Sequence, residues 1–428
     1  MLSLCMIAKN EEVFLPACLE SFKEAVDEII VVDTGSTDKT KEIAQQYGAK
    51  LFHFHWADDF SDARNYALEQ AGEKWIIMPD ADDRLQKDAH HLLHECMTDT
   101  TANGYRIPII SYSNDQRAAN WHLLPKQVQG FRGFLLTQAI KLFRNKKEIR
   151  YRFSVHESVK YSIAEQKGQI KDAPFSFDHV GFARGREISR EKHAYYLSLS
   201  LKDAKQYPNH PKPFYELGVA YFERGEWTDA KAAFEQAAKK DELHLNPYFY
   251  LGELALKEQR PEEARDFFQK DLLLHPRHSQ SYGSLGKAMV LLGNRPKAKE
   301  YFKKALSLNP KKVEFYQALL QLHLQQQELF PALALAHDAW NHTKDEQFMQ
   351  LLNQLENNIK IKANDMLQAG HEEQASLWFG TLALYRKDYR EIERICATLQ
   401  QASPQSNVSE ALMLAMKKLQ HRPNDERQ

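Results

Sequence analysis

The chain has 428 residues, enough for two or three domains with a substantial core. Lys and Arg number 57 against 58 Asp and Glu, a formal net charge of −1, so no overall basic bias directs it to nucleic acid or anionic lipid. No stretch approaches the roughly 18 apolar residues of a membrane span, and the cysteines, Cys5, Cys18, Cys96 and Cys396, match no metal spacing and read as buried thiols of a reducing, cytoplasmic protein.

"LSLCMIA" (2–8) reads as a buried strand, too short and too soon followed by charge for a signal peptide. Phe14, Leu15, Cys18, Leu19 and Phe22 then fall at helical spacing. "EIIVVD" (28–33) is a second strand, followed by a helix capped by Ser36 or Thr37 and ended by Gly48. "AKLFHF" (49–54) is a third strand, "SDARNYALEQA" (61–71) a helix with Ser61 or Asp62 as cap, and "KWIIMPD" (74–80) a fourth strand. This alternation predicts a mainly parallel, doubly wound sheet, whose ligands sit beyond the carboxyl ends of the strands. Asp33 and Asp80 both stand at such ends. "GYRIPIISY" and "QAIKLFRN" read as further strands, and 113–135 as a long loop.

From about 211 the pattern changes. Gly218, Gly252 and Gly286 recur every 34 residues, as do Ala230, Ala264, Ala298 and Ala332, and Phe234, Phe268 and Phe302. Over 211–344 this resembles the tetratricopeptide repeat, a helix–turn–helix unit whose small residues let paired helices approach closely. Residues 345–428 stay helical in pattern but lose the register, as the end of a solenoid does. The stretch 187–214 reads as one helix and a proline-marked boundary.

Four motifs can carry chemistry. In "VVDTGSTDKT", Asp33 can accept from a nucleobase or ribose, or simply belong to a capped strand–helix turn. In "PDADD", Asp80 and Asp82 can offer hard oxygen donors to Mg²⁺ or Mn²⁺; like charges so close are costly unless a cation or several donors arrive, and the bland reading is a solvated acidic turn. In "FSDARNYAL", Arg64 and Asn65 can serve a nucleotide, or Arg64 can pair with Asp58, Asp59 or Asp62. "KLFRNKKEIRYRFSVHES" supplies Lys141, Arg144, Arg150 and Arg152, positive charge of the kind a departing diphosphate needs. His156 and Glu157 follow as proton acceptors, and His179 in "FDHVGF" can contact metal or diphosphate; each histidine can equally be a hydrogen-bonded, partly buried ring.

Taken in order, "LSLCMIAKNEE", "DEIIVVDTGSTDKT", "WADDFSDARNYAL", "WIIMPDADD", "KLFRN", "VHE" and "DHVGF" resemble the family 2 glycosyltransferases that carry tetratricopeptide repeats. The likeness covers nearly all of 1–344, is strongest over 1–83, and is greatest to the bacterial branch that includes S-glycosyltransferases of glycopeptide bacteriocins. It implies a GT-A fold, a Rossmann-like mixed α/β sheet of the nucleotide-diphospho-sugar transferase type, followed by an all-α repeat solenoid. It also implies a nucleotide-sugar donor, usually UDP-linked, a divalent metal and inversion at the anomeric carbon. By this resemblance Asp33, Arg64, Asn65 and Asp80 bind donor, Asp82 and Asp80 hold the metal, Asp82 foremost, and Glu157 or His156 serves the acceptor; beside them Arg144 is expected to bind the donor diphosphate and His179 the metal. Asp83 is expected to be a solvated bystander. Pro79 departs from the apolar residue commoner in the family, and Asp83 from its Glu or Asn.

The expected division is a transferase domain over 1–186, a linker helix over 187–212, repeats over 213–344 and a helical cap over 345–428. The repeats are expected to hold a protein or peptide acceptor or to make a homodimer. The Q-x-x-R-W motif of processive synthases is missing. Two other classes stay open: a repeat scaffold with an inactive sheet domain, against which the retained carboxylates speak, and a nucleotidyltransferase, which would show a Gly-rich basic phosphate loop where "IAKNEE" stands.

Overall fold

The computed structural model describes residues 1–114, 121–128, 130–181, 190–239, 245–402 and 407–420. The expected start of the linker helix at 187, Phe182 of "DHVGF" and the tail of the cap beyond 420 lie outside the described residues. The chain forms two compact units, Met1–Pro247 and Tyr248–Gln428. The first therefore continues past 186 through the helix expected as a linker and one further helix pair.

Among the described residues, the first unit is built on one mixed sheet of ten strands. Its parallel half places β3 (Lys50–His53), β2 (Glu28–Asp33), β1 (Leu2–Ala8) and β4 (Trp75–Ile77) side by side. Period-2 alternation along β1 sorts its side chains: Leu2, Leu4 and Met6 pack with α1 (Leu15–Phe22) and α4 (His90–Thr98), whereas Cys5 joins the opposite core with α3 (Phe60–Glu69). Next to β4 runs β8 (Phe131–Arg144), antiparallel, then β6 (Ala102–Ser113), β10 (Phe177–His179) and β5 (Asp83–Leu85). β7 (Trp121–Val128) and β9 (Gln169–Asp172) pair at the side with β8 and β6.

Three local expectations change. Within the span 113–135, expected as a loop, the described residues 121–128 and 131–135 are strand: β7 pairs antiparallel with β8, and Gly130 before β8 has φ +84°. His122 stacks on Phe134 at 5.2 Å, and Trp121 lies so close over Gly133 that a Cβ there would sit 2.2 Å from its ring. Helix α2 (Thr40–Gln46) begins where Asp38 accepts the Thr40 N–H; Ser36 and Thr37 are spent on binding Asn10. The cap of α3 is Asp59, whose carboxylate accepts the Asp62 N–H at 3.1 Å.

The repeat signature is visible as packing. In the first unit, α7 (Pro211–Arg224) pairs with α8 (Trp227–Ala238), and Gly218 faces the Phe234 ring. In the second unit the same device recurs between Gly252 and Phe268 and between Gly286 and Phe302, with Ala264, Ala298 and Ala332 fully buried. A Cβ on Gly252 would lie 2.5 Å from the Phe268 ring. Gly252→Ala is therefore expected to destabilise the second unit by about 1–3 kcal/mol through overpacking, despite alanine's better helix propensity. Denaturant unfolding followed by Trp340 and Trp378 fluorescence checks this; equal midpoints would refute it. The later helices, α15 (Glu346–Gln368) to α18 (Asn407–Gln420), are helical as expected beyond the repeat register.

Candidate active site

The carboxyl edge of the parallel half gathers the chemistry. Ala8, Asp33 and His53 are register partners at that edge. Asp33 is buried and spends its carboxylate on the turn that follows, accepting the N–H groups of Gly35 at 3.2 Å and Ser36 at 3.1 Å. Gly35 permits that turn with φ +107°. The residue at this point that faces the adjoining cavity is Thr34.

Beyond β4 the chain makes a tight acidic turn. Asp83 accepts the Asp80 N–H at 2.8 Å and returns its own N–H to the Asp80 carbonyl at 3.0 Å. Asp83 then opens β5, which pairs antiparallel with β10 and sets it opposite His179. Its Oδ1 lies 2.9 Å from His179 Nδ1, and Asp82 Oδ1 lies 3.4 Å from the same nitrogen. Bare backbone at Gly181 closes over Asp82: a Cβ there would fall 2.0 Å from Asp82 Oδ2.

The three aspartates are electrostatically distinct. Asp80 binds Lys141 Nζ at 2.5 Å and an Arg64 terminal nitrogen at 2.9 Å. Burial would raise its pKa, but these two cations prevail and hold it well below the usual carboxylate range. For Asp82, burial raises the pKa and the charges of Asp80 and Asp83 add to it; His179 opposes them without cancelling them. Burial would lower the pKa of His179, but its hydrogen bond to the Asp83 carboxylate and the charge of Asp82 raise it. Asp83 is wholly buried, shared between Lys141, His179 and the Asp80 amide, and is no solvated bystander.

One ligand atom each from Asp82, Asp83 and His179 lie within 4.8 Å of one another. Two hard oxygens and an imidazole nitrogen form a donor set that suits a divalent cation. Of the residues expected to hold metal, the structure groups Asp82 with His179 and adds Asp83. It commits Asp80 to Lys141 and Arg64 instead.

On the other side of Asp80, Arg64 also donates Nε to Glu157 Oε1 at 2.5 Å and lies over the Tyr151 ring. Two cavities flank this pair, and Arg64 and Asp80 line both. The first, of about 580 Å³, runs past Ala8, Lys9 and Thr34 to Asp82 and is walled by Trp56, Phe60, Tyr195 and Tyr196. The second, of about 740 Å³, is lined by Lys141, Tyr151, His156, Glu157 and Gln138. His156 is 57% exposed, with Nε2 3.9 Å from Glu216.

Two expected donor contacts fall elsewhere. Both ends of the Asn65 amide are taken by the Tyr151 backbone, at 3.0 and 2.8 Å, so Asn65 fixes the segment leading to Glu157. Arg144 pairs in register with Trp75 at the opposite end of β4, stacks on that indole at 4.3 Å and donates to the carbonyls of Asp99 and Ala102. Because β8 runs antiparallel to β4, three residues carry the chain away from the carboxylates, and Lys141 is the cation delivered to them. Sequence reasoning missed the wall of Trp56, Tyr195 and Tyr196; its signal was the "AYYL" of the helix taken for a linker.

Residues 3–159 match the family described as Glycosyl transferase family 2. Residues 215–272 and 279–312 match tetratricopeptide repeat families. A TPR repeat-containing protein of Synechococcus elongatus is 33% identical over 250 residues, covering 56% of each chain. The lipopolysaccharide core biosynthesis glycosyltransferase LpsC of Rhizobium meliloti is 36% identical over 101 residues, 22% of this chain and 37% of its own. The SPbeta prophage-derived glycosyltransferase SunS of Bacillus subtilis is 24% identical over 221 residues, 50% of this chain and 47% of its own. The chain thus spans about half or less of the length of these relatives.

Proposed function

We propose that this chain, a family 2 glycosyltransferase domain joined to tetratricopeptide repeats, moves a sugar from a nucleotide-sugar donor, UDP-linked, to a protein or peptide acceptor with inversion at the anomeric carbon. The observation that carries the reading is the junction of two cavities at Arg64 and Asp80, with a metal-suited carboxylate set on one side and a carboxylate base on the other. Donor occupies the first cavity and acceptor the second.

Asp82, Asp83 and His179 would hold Mg²⁺ or Mn²⁺, which when bound supplies positive charge to a diphosphate. Arg64 and Lys141 keep Asp80 ionised and add positive charge where the two cavities meet. Glu157, oriented by Arg64, accepts the proton of an attacking hydroxyl or thiol as the new bond to C1 forms. The C1–O bond to the diphosphate breaks in the same step, and the electron pair leaves with the nucleotide. A thiol needs less help from Glu157, because some of it is already thiolate near neutral pH. His156, exposed beside this carboxylate, takes an orienting role.

We assign the repeats to acceptor binding, with homodimerisation as their other use, and the reaction to the cytoplasm. No described helix is long and apolar enough to cross a membrane. The test is turnover of a panel of UDP-sugars with Mn²⁺, with and without peptide acceptors bearing Ser, Thr or Cys. Glu157→Gln is expected to lower kcat by about 10²–10⁴-fold with donor binding kept. Neither binding nor turnover of any donor by the parent chain would point instead to a scaffold.

A further inference from the structure

We infer that α6 (Arg190–Gln206) and the start of α7 belong to the catalytic centre, with Asp203 and Lys212 as positioning residues for the segment bearing His156 and Glu157. The inference rests on the reading of Glu157 given above.

That segment does not hold its own shape. Phe153, at φ +77°, and His156, at φ +52°, are non-glycine residues in the left-handed region, separated by two residues. Such conformations persist only where surrounding structure imposes them. The imposing groups come from beyond the sheet. Asp203, 2% exposed, accepts the Ser154 N–H with both carboxylate oxygens at 2.8 Å and reaches the Val155 N–H at 3.4 Å. These are the two amides between the strained residues. A buried ionic acceptor on backbone N–H groups is among the stronger hydrogen bonds a protein makes.

Lys212, from the first turn of α7, donates Nζ to the His156 carbonyl at 2.9 Å. The Phe153 ring is enclosed by Tyr207 and His210, with centroids at 5.1 and 5.0 Å. All of these residues follow the sheet domain in sequence.

The same helix also fixes the partner of Glu157. Ser154 Oγ donates to Asp59 at 2.8 Å, and Asp59 is the cap of α3, the helix carrying Arg64. Lys202 lies beside Asp59 at 3.4 Å. One turn of α6, Lys202 and Asp203, therefore anchors both ends of the Arg64–Glu157 pair. A carboxylate used only to cap or to solubilise would have no reason to be buried against a loop of the sheet domain.

The experiment uses the full chain with Asp203→Asn, Lys212→Met, Glu157→Gln and the double variant of Asp203→Asn with Glu157→Gln. Asparagine keeps the volume of Asp203 but can accept with only one atom and presents an N–H₂ to an N–H. Asp203→Asn is expected to lower kcat for UDP release from UDP-glucose and UDP-N-acetylglucosamine by about 10²-fold, since a displacement of about 1 Å can cost that much. UDP affinity with Mn²⁺, by calorimetry, should change less than threefold, and amide hydrogen exchange should quicken in the peptide over 150–158. Lys212→Met should act in the same direction, by about tenfold. In the Glu157→Gln background, Asp203→Asn should cost nothing further, because it acts through the group already removed. Parent-like turnover and exchange in Asp203→Asn and Lys212→Met, with Glu157→Gln impaired, overturns the positioning role alone. Multiplying losses in the double variant overturn it as well. Parent-like turnover in Glu157→Gln overturns the base assignment and the inference resting on it.

Discussion

Replacing Asp82 with alanine is expected to lower transfer by about 10³-fold or more and to abolish the metal dependence of donor binding, while the fold stays intact. The expectation follows from how the three aspartates are used. Asp80 is matched by Lys141 and Arg64, and Asp83 is built into the turn through the Asp80 amide, Lys141 and His179. Among the described residues Asp82 is opposed by His179 against two neighbouring carboxylates, and burial together with those carboxylates raises its pKa. Removing it relieves like-charge repulsion in the metal-free protein, so the Tm without metal should hold or rise slightly. Asp83→Ala makes the contrast: it strips a wholly buried carboxylate from Lys141 and His179 and should lower stability as well as activity. Calorimetric titration of UDP with and without Mn²⁺, beside thermal melts, separates the two. Metal-dependent UDP binding at parent affinity in Asp82→Ala would remove Asp82 from the metal site.

The parallel half of the sheet was legible because β1, β2 and β4 are buried on both faces and its helices have one apolar side, so periodicity alone sorted them. The repeats were legible for a different reason: Gly218, Gly252 and Gly286 each sit against a phenylalanine of the next helix, and that fit tolerates no drift from 34 residues. What escaped depends on pairing between distant segments. Whether Lys141 or Arg144 meets the carboxylates is set by the antiparallel register of β8 on β4, which no local pattern carries. Asp83 is turned from an expected bystander into the partner of His179 by β10, ninety-odd residues away in sequence, arriving opposite it. Asn65, beside Arg64, looked equally suited to a nucleotide, yet its amide is complementary to a peptide group, and Tyr151 supplies one. The helix after the sheet carried few marks of a site because Asp203 and Tyr195 act on loops whose positions exist only in the folded chain.

Arg64→Met is the substitution expected to damage both stability and chemistry. The guanidinium, with a side chain 11% exposed, bridges Asp80 and Glu157 and lies over Tyr151. Methionine fills much of the space but leaves the largely buried Glu157 without its cation, and breaking such a pair costs about 3 kcal/mol. For a unit of this size that corresponds to a Tm lower by roughly 6–12 °C. Arg64→Lys should recover part of the stability and little of the turnover, since a single ammonium cannot present the fork that meets two carboxylates on different elements. Acid sensitivity gives a further reading. The folded pKa of Asp80 is depressed, so its contribution is present above the unfolded value of about 4 and is lost only as pH falls through the lower folded value. Arg64→Met removes one of the two cations responsible, raises that folded pKa and narrows the window. The difference in stability between parent and variant should therefore be full at neutral pH and shrink as pH falls below about 4. Denaturant melts from pH 7 to pH 3 measure it directly; a difference that grows on acidification would show that Arg64 does not hold Asp80 ionised.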